Sequence, residues 1–96
     1  MARKQQNSNT PIERILIIRF SSIGDIVLTT PVVRCLRRQY PNAQIDFLVK
    51  EKFKTVIEDN PHINQIFTYS DNLDFTIQQL EKQQYQFVVD LQKNVR

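Results

Sequence analysis

The feature that most constrains the fold of this chain is an uninterrupted apolar run, Ile15-Leu16-Ile17-Ile18. The run stops at Arg19-Phe20 and opens into the polar loop Ser21-Ser22-Ile23-Gly24-Asp25. Aliphatic residues without polar alternation are typical of a strand buried on both faces, as in a parallel sheet that is covered by helices. The sequence therefore predicts a central parallel strand with a polar loop at its carboxyl end.

Gly24 is the only glycine among 96 residues, whereas glycine ordinarily makes up about 7% of a protein. The other turns of this chain form without glycine, so we expect Gly24 to lie where a Cβ atom would clash. Asp25 follows directly and precedes the apolar spacing of a helix, which places its carboxylate in the first helical turn. The helix dipole and the free N–H groups of that turn favour an ionised carboxylate.

Apolar spacing along the rest of the chain alternates between helical and strand patterns. A helix is predicted up to about Tyr40, and Pro31 either kinks it or divides it, with Thr30 capping a second helix. A short helix is predicted between the second and third strands. A further helix follows the capping candidates Asp71 and Asn72 and carries Leu73, Ile77 and Leu80 on one face. Strands after the first are predicted at residues 43–49, 65–69 and 87–91.

This alternation predicts an α/β fold, a Rossmann-like doubly wound parallel sheet over residues 12–96, after a disordered polar tail over residues 1–11. Right-handed crossovers predict the order 3-2-1-4 for the four strands, so the sheet reverses between the first and the fourth. Ligands of such sheets bind outside the carboxyl ends of the strands at the reversal, where residues 21–25 and 90–96 meet. Asp90 and Gln92 are therefore candidate ligand contacts. The last strand lacks a covering helix, so we interpret residues 12–96 as an incomplete amino-terminal domain.

Composition narrows the classes of protein that remain. The net charge of +3 comes from interleaved basic and acidic residues, which gives little support for binding of nucleic acid, and no nucleic-acid partner is expected. Cys35 lies among helical apolar positions, which predicts a buried thiol in a reducing compartment. His62 has no cysteine or second histidine at ligand spacing, so no metal site is expected. No membrane span or signal-peptide core is evident, and we expect a cytoplasmic protein.

The residues after the first strand resemble those of a known family. Phe20-Ser21-Ser22-Ile23-Gly24-Asp25-Ile26-Val27-Leu28-Thr29-Thr30-Pro31, followed by a helix that ends near Tyr40-Pro41, resembles the opening of the heptosyltransferases of glycosyltransferase family 9. Residues 47–53 resemble the second strand and following loop of that family, and residues 88–96 resemble the segment after its fourth strand. The resemblance covers residues 14–96.

The resemblance implies a GT-B glycosyltransferase with two Rossmann-like domains. In that family the amino-terminal domain binds the acceptor and the carboxy-terminal domain binds an ADP-activated heptose. The implied reaction transfers a heptose, or a related sugar, to a lipopolysaccharide-core-type acceptor. The implied partners are the ADP-sugar donor, held by a domain outside this chain, and a lipid-linked sugar acceptor at the inner face of the inner membrane. No cofactor is implied, and the isolated 96-residue chain is expected to be inactive.

The resemblance also assigns roles to loop residues. Asp25 falls on the general base that acts on the acceptor hydroxyl, and Ser21, Ser22 and Gly24 shape the same site. Transfer of a sugar from a nucleotide diphosphate requires a base within hydrogen-bond reach of the attacking hydroxyl. From the residue types alone, Asp25 and the serines are equally suited to cap a helix.

The sequence also bears on other classes of function and on the remaining charged residues. A single glycine cannot form the glycine-rich loops of common nucleotide-binding sites, and Ser21-Ser22 occupy the place of the acidic cluster of a phospho-acceptor domain. A non-catalytic α/β scaffold and a phosphate-ligand binding module stay open.

Lys50, Lys52 and Lys54 favour a solvated turn over contact with an anionic acceptor. Arg37 and Arg38 suit the end of a helix, where positive charge is favourable.

Overall fold

The structure, a computed structural model, describes residues 12–70 and 72–92 together with the backbone of residues 2–4. Within these residues one sheet contains β1 (Ala2–Lys4), β2 (Arg14–Ile18), β3 (Gln44–Lys50), β4 (Gln65–Tyr69) and β5 (Phe87–Asp90). The helices are α1 (Ile23–Val27), α2 (Thr30–Gln39), α3 (Lys54–Ile57), which follows a 3₁₀ turn at Glu51–Phe53, and α4 (Leu73–Glu81). From β2 onward, strands and helices alternate as the apolar patterns predict.

The order of the strands confirms the predicted doubly wound sheet. The sheet runs β1-β5-β2-β3-β4, and β5, β2, β3 and β4 are parallel to one another. Counted from Arg14, the parallel strands have the predicted order 3-2-1-4, with the reversal between β2 and β5. Ile15 and Ile17 are completely buried and Leu16 nearly so, because β2 is covered on both faces.

Helices cover the two faces of the sheet unequally. On one face, Ile15 and Ile17 pack in a cluster with Ile26 of α1, Val33 of α2 and Ile57 of α3. The opposite face has a smaller cluster around Leu16, Leu48 and Leu80, of which only Leu80 comes from a helix. Beside α4 this face keeps an open apolar groove of about 580 Å³.

A carboxylate is buried on the face that carries the groove. Asp46, which pairs with Leu16 in the sheet register, is completely buried. It accepts hydrogen bonds from the Tyr85 hydroxyl and from the Gln44 side-chain amide at 3.0 Å. Burial, followed by the hydrogen bond to Asp46, raises the pKa of Tyr85 well above its ordinary value. Tyr85 is therefore held as a neutral donor to Asp46.

The amino terminus differs from the expectation of a disordered tail. Residues 2–4 form β1, which pairs antiparallel with β5 through the register Ala2 to Val89 and Lys4 to Phe87. The outer edge of β5, expected to be bare, is therefore paired over these residues. The physical reason is that an open strand edge offers unpaired N–H and C=O groups to any segment that can reach it.

The helical segment after the loop is two helices, which resolves the alternatives left open by Pro31. α1 ends at Val27 and α2 begins at Thr30, with Pro31 in its first turn, where the missing N–H of proline is tolerated. The residue at the cap position is Thr29, not the predicted Thr30, and the Thr29 hydroxyl donates to the carbonyl of Ile26 at 2.6 Å instead of capping α2.

Two further predictions concern individual helix positions. Cys35 is exposed, which contradicts the predicted buried thiol, because the buried face of α2 is carried by Val33 and Leu36 and Cys35 points away from it. The predicted cap Asn72 is confirmed, since its side chain accepts a hydrogen bond from the N–H of Phe75 at 3.0 Å. Asp71 lies outside the described residues.

Candidate active site

The carboxyl ends of β2 and β5 meet through backbone and side-chain hydrogen bonds. The N–H of Leu91 donates to the carbonyl of Ile18 at 3.0 Å, and the N–H of Phe20 donates to Oε1 of Gln92 at 3.0 Å. These contacts place the loop after β2 beside the residues that follow β5. The predicted meeting of the two stretches at the reversal of the sheet is confirmed for the described residues.

Asp25 lies at this junction, in the first turn of α1. Its Oδ2 atom is 2.8 Å from Nη2 of Arg19 and accepts a hydrogen bond from the Ser22 hydroxyl at 3.1 Å. The side chain is still 49% exposed. Asp25 therefore combines a fixed orientation with access to a ligand from solvent.

The same contacts lower the pKa of Asp25 below its ordinary value of 3.8. The largest cause is the hydrogen bond from Arg19, followed by the hydrogen bonds from the side chain and backbone of Ser22. A folded-state pKa below the ordinary value means that the carboxylate is ionised at neutral pH and loses its charge only as the pH falls through that lowered pKa. Asp25 is therefore a proton acceptor in its resting state.

Ser22 occupies the cap position of α1, yet its side chain does not cap the helix. The hydroxyl donates to Asp25 instead, at 3.1 Å. Of the two roles open to this serine from its residue type, the structure therefore favours orientation of the carboxylate. Ser21 is half-buried in the same loop, and its predicted role in binding stays a prediction.

Arg19 is the residue of this site that sequence reasoning missed. Its side chain is only 10% exposed, and it lies on the same side of the strand as Ile17 and Ile15, two and four residues earlier. This alternation along the strand could have identified Arg19 from the sequence. A buried guanidinium requires an acidic or carbonyl partner, and Asp25 is the next acidic residue along the chain.

A crevice of about 270 Å³ opens at this position. Its lining consists of Arg19, Asp25, Leu28, Thr29, Val32 and Leu91. One wall is therefore charged and the others are largely apolar, a combination that is typical of sites for small molecules.

Asp90 and Gln92 reach the junction but lie on its other side. Both line the apolar groove beside α4, and neither lines the crevice that contains Asp25. Oδ1 of Asp90 accepts a hydrogen bond from the N–H of Gln92 at 3.0 Å, and Gln92 in turn holds the backbone of Phe20. These contacts shape the loop, and a role for either residue in acceptor binding stays a prediction.

Gly24 departs from the expectation that a Cβ atom would clash. A Cβ atom built at Gly24 meets nothing within 4 Å, and the residue does not have a positive φ angle. It is an exposed residue of α1, so the fold of the chain does not require glycine there. Any requirement for glycine must come from a molecule that approaches this side of α1.

Other charged residues lie apart from the crevice. Lys50 and Lys52 line a separate hollow beside Tyr69, and Lys54 is exposed at the start of α3. Among the described residues, no group of three or more His, Cys, Asp or Glu side chains is arranged to hold a metal ion. None of the described helices has the length and hydropathy needed to cross a membrane.

Curated relatives of the chain are lipopolysaccharide heptosyltransferases. The chain is 40% identical over 48 residues to lipopolysaccharide heptosyltransferase 3 of Escherichia coli strain K12, a match that covers 50% of this chain and 14% of that protein. It is 29% identical over 89 residues to lipopolysaccharide heptosyltransferase 1 of Campylobacter coli, which covers 86% of this chain and 26% of that protein. The chain therefore spans about a quarter of the length of these relatives at most. No family model matches it.

Solved structures of the same family share the fold. The glycosyl transferase family 9 protein of Veillonella parvula DSM 2008 superposes with a TM-score of 0.77 at 24% identity, over 88% of this chain and 27% of that one. The Escherichia coli heptosyltransferase WaaC, solved with ADP, superposes with a TM-score of 0.55 at 23% identity, over 72% of this chain and 21% of that one. Sequence similarity to the curated enzymes thus confirms the resemblance seen in the motifs, and the chain shares its fold with a solved structure of glycosyltransferase family 9.

Proposed function

We propose that this chain forms part of the acceptor-binding domain of a glycosyltransferase that transfers a heptose, or a related sugar, from an ADP-activated donor to a lipopolysaccharide-core-type acceptor. Asp25 is the general base of the reaction. The observation that carries the proposal is the half-exposed, ionised carboxylate of Asp25 in a crevice at the reversal of the sheet. Relatives that are heptosyltransferases support the reaction class.

The chemistry requires a group that takes one proton. The acceptor hydroxyl oxygen forms a bond to the anomeric carbon of the donor, the bond between that carbon and the diphosphate oxygen breaks, and ADP leaves with the electron pair. The hydroxyl proton passes to Oδ1 or Oδ2 of Asp25. The hydroxyl becomes acidic only as its oxygen attacks, so a carboxylate with a low pKa still accepts the proton in the transition state.

The apolar walls of the crevice and the open side of Gly24 support an acceptor position in front of α1. Leu28 and Val32 supply apolar surface beside Asp25, against which the acceptor packs. The absence of a side chain at Gly24 leaves space in front of α1 for a bulky sugar. The acceptor is lipid-linked and is met at the membrane surface, and the ADP-sugar binds to a domain outside this chain. The solved structure of Escherichia coli heptosyltransferase WaaC with ADP supports a nucleotide-sugar donor.

The test uses the longest reading frame that contains this chain, with Asp25→Asn as the decisive variant. Asparagine keeps the size and the capping ability of aspartate but cannot accept the proton. We expect the single-turnover rate of sugar transfer to fall by about 10²- to 10⁴-fold, with little change in donor affinity or melting temperature.

Asp74→Asn is the matched control, because Asp74 also lies exposed in the first turn of a helix but outside the crevice. This control is expected to transfer sugar at the wild-type rate. A folded Asp25→Asn protein with a near-normal rate would remove Asp25 from the mechanism and leave the scaffold and phosphate-binding alternatives.

A further inference from the structure

The ion pair at the candidate site is asymmetric. The side chain of Arg19 is 10% exposed, whereas that of Asp25 is 49% exposed. In an ordinary surface pair both side chains are mobile and the contact adds little. Here the guanidinium of Arg19 is held inside the protein, and the Asp25 carboxylate that it contacts is partly exposed to solvent.

Two hydrogen bonds fix the guanidinium of Arg19 in different directions. Nη2 contacts Oδ2 of Asp25 at 2.8 Å, and Nη1 donates to the carbonyl oxygen of Leu91 at 2.6 Å. One planar group thus connects the first turn of α1 with the backbone just after β5. We propose that Arg19 is a positioning residue that sets the place and orientation of the Asp25 carboxylate at the mouth of the crevice. This inference rests on the proposed role of Asp25 as the base.

The unusual environment of Arg19 supports a role beyond packing. Its Nε atom is buried and has no hydrogen-bond partner among the described residues. An unsatisfied buried donor destabilises a fold. If Arg19 only filled space, an apolar residue at this position would make the fold more stable. The two Nη contacts are therefore the feature that requires arginine here.

Lysine cannot make this arrangement. Its ammonium group is a single point of charge, whereas the planar fork of arginine presents donors in two fixed directions. Arg19→Lys therefore keeps the charge near Asp25 but loses either the contact to Asp25 or that to Leu91. Comparison of Arg19→Lys with Arg19→Met separates the effect of orientation from the effect of charge.

The first test measures the pKa of Asp25 in the 96-residue chain through the pH dependence of its carboxyl ¹³C chemical shift. Arg19 and then Ser22 lower this pKa, and desolvation opposes them. The helix that packs against α1, α3, carries Lys54. We expect the pKa to rise in Arg19→Met, because the cation that favours the ionised form is lost. The rise is smaller in Arg19→Lys.

Arg37→Lys is the control for this measurement, because Arg37 is also a partly buried arginine that donates to backbone carbonyls, at Pro41, Ala43 and His62. It is expected to leave the Asp25 titration unchanged. If Arg19→Met does not fold, the reciprocal measurement is the ¹⁵N shift of Arg19 Nη2 in Asp25→Asn. That resonance is expected to move; an unmoved Nη2 resonance, or an unchanged Asp25 titration in a folded Arg19 variant, overturns the inference.

The second test measures transfer by the longest reading frame that contains this chain. A carboxylate displaced by about 1 Å reduces turnover by about 10²-fold, so we expect a fall of that order in the kcat of Arg19→Lys, with an unchanged KM for the donor. A lower melting temperature with an unchanged kcat would mean that Arg19 is only structural. The two proposals fail separately: a fully active Asp25→Asn protein overturns the proposed base, whereas an unaltered Asp25 titration in Arg19 variants overturns the positioning role even if Asp25 is essential.

Discussion

The candidate site is centred on three side chains that are joined by hydrogen bonds: Asp25, Ser22 and Arg19. Arg19 and Ser22 both donate to Oδ2 of Asp25, so the charge of the carboxylate and the direction of its exposed side are set together. A carboxylate held in this way has lost rotamer freedom before any ligand arrives, and less entropy is then lost when an acceptor binds. In the proposed mechanism, reactivity at this site depends on orientation more than on basicity, because the pKa of Asp25 is lowered, not raised.

At Gly24 the residue that would best stabilise the fold differs from the residue expected to suit the candidate site. The position is helical, exposed and free of close contacts, and alanine is more favourable than glycine in a helix by about 1 kcal/mol. We expect Gly24→Ala to raise the free energy of unfolding by about 0.5–1 kcal/mol, measured by urea denaturation of the 96-residue chain.

If an acceptor approaches this side of α1, the same Gly24→Ala change lowers sugar transfer in the longer protein while its stability rises. Thr55→Ala, another exposed helical position, is the control and is expected to leave transfer unchanged. A destabilised Gly24→Ala chain would contradict the open environment described for this residue.

The carboxyl-terminal end of α2 is held by a side chain that acts on three segments at once. Arg37 donates to the carbonyl oxygens of Ala43 at 2.6 Å and His62 at 2.9 Å, and to Oδ1 of Asn64 at 2.7 Å. Asn64 also accepts the N–H of Ile45 in β3. Arg37 therefore joins α2 to the turns that precede β3 and β4, a structural role that agrees with the interpretation favoured from its place at the end of a helix.

Replacement of Arg37 by lysine tests this network. A lysine keeps the charge favoured by the helix dipole but cannot donate to several acceptors in fixed directions. We expect Arg37→Lys to lower the free energy of unfolding by about 1–3 kcal/mol, the range for hydrogen bonds to a charged group and for unsatisfied acceptors. The adjacent Arg38 is exposed, and Arg38→Lys is expected to change stability by less than about 0.5 kcal/mol. Equal effects of the two changes in urea denaturation would show that only charge matters here.

Because the helical segment is divided into α1 and α2, Asp25 lies at the start of a separate short helix, α1. Thr29 donates to the carbonyl of Ile26, and Pro31 cannot continue the backbone hydrogen bonds of α1, so α1 ends after one turn and a half. Ile26 anchors this short helix in the core, while Ile23, Val27 and Leu28 stay more than half exposed. Asp25 consequently projects from a short segment that is fixed at one buried residue and by Arg19.

The sheet as a whole brings the site residues together from both ends of the described chain. Arg19 and Leu91 are 72 residues apart in the chain, yet they are joined by a hydrogen bond, because β2 and β5 are neighbours in the sheet. The crevice beside Asp25 contains a single arginine, and that arginine is already paired with Asp25. A diphosphate, which is stabilised by cations and free N–H donors, finds little to bind there.

We therefore expect the isolated 96-residue chain to bind ADP negligibly and to transfer no sugar. Isothermal titration with ADP at millimolar concentration measures the first property, with Escherichia coli WaaC, whose structure was solved with ADP, as the positive control. Detectable transfer by the purified chain, or micromolar binding of ADP, would contradict this expectation and would place a donor site within residues 1–96.

From Arg14 onward, local chemistry along the chain was enough to predict the elements and their order. The run from Ile15 to Ile18 indicates a strand covered on both faces, and its alternation with helical spacing leaves few topologies once crossovers are right-handed. The meeting of the Ser21–Asp25 loop with the residues after β5 follows from that topology. Periodicity and handedness are properties of short segments, which is why they can be read without the folded structure.

The contacts of single side chains were decided by the tertiary structure. Cys35 is exposed although its neighbours are apolar, since the rotation of α2 about its axis is set by the packing of Val33 and Leu36 on the sheet. A Cβ atom built at Gly24 meets nothing within 4 Å, and β1 pairs with an edge whose partner no local pattern identifies. Arg19 acquires its role only because β5 brings the carbonyl of Leu91 to within 2.6 Å of it. Such contacts join residues that are far apart in the chain, and their geometry follows from packing, which no short segment contains.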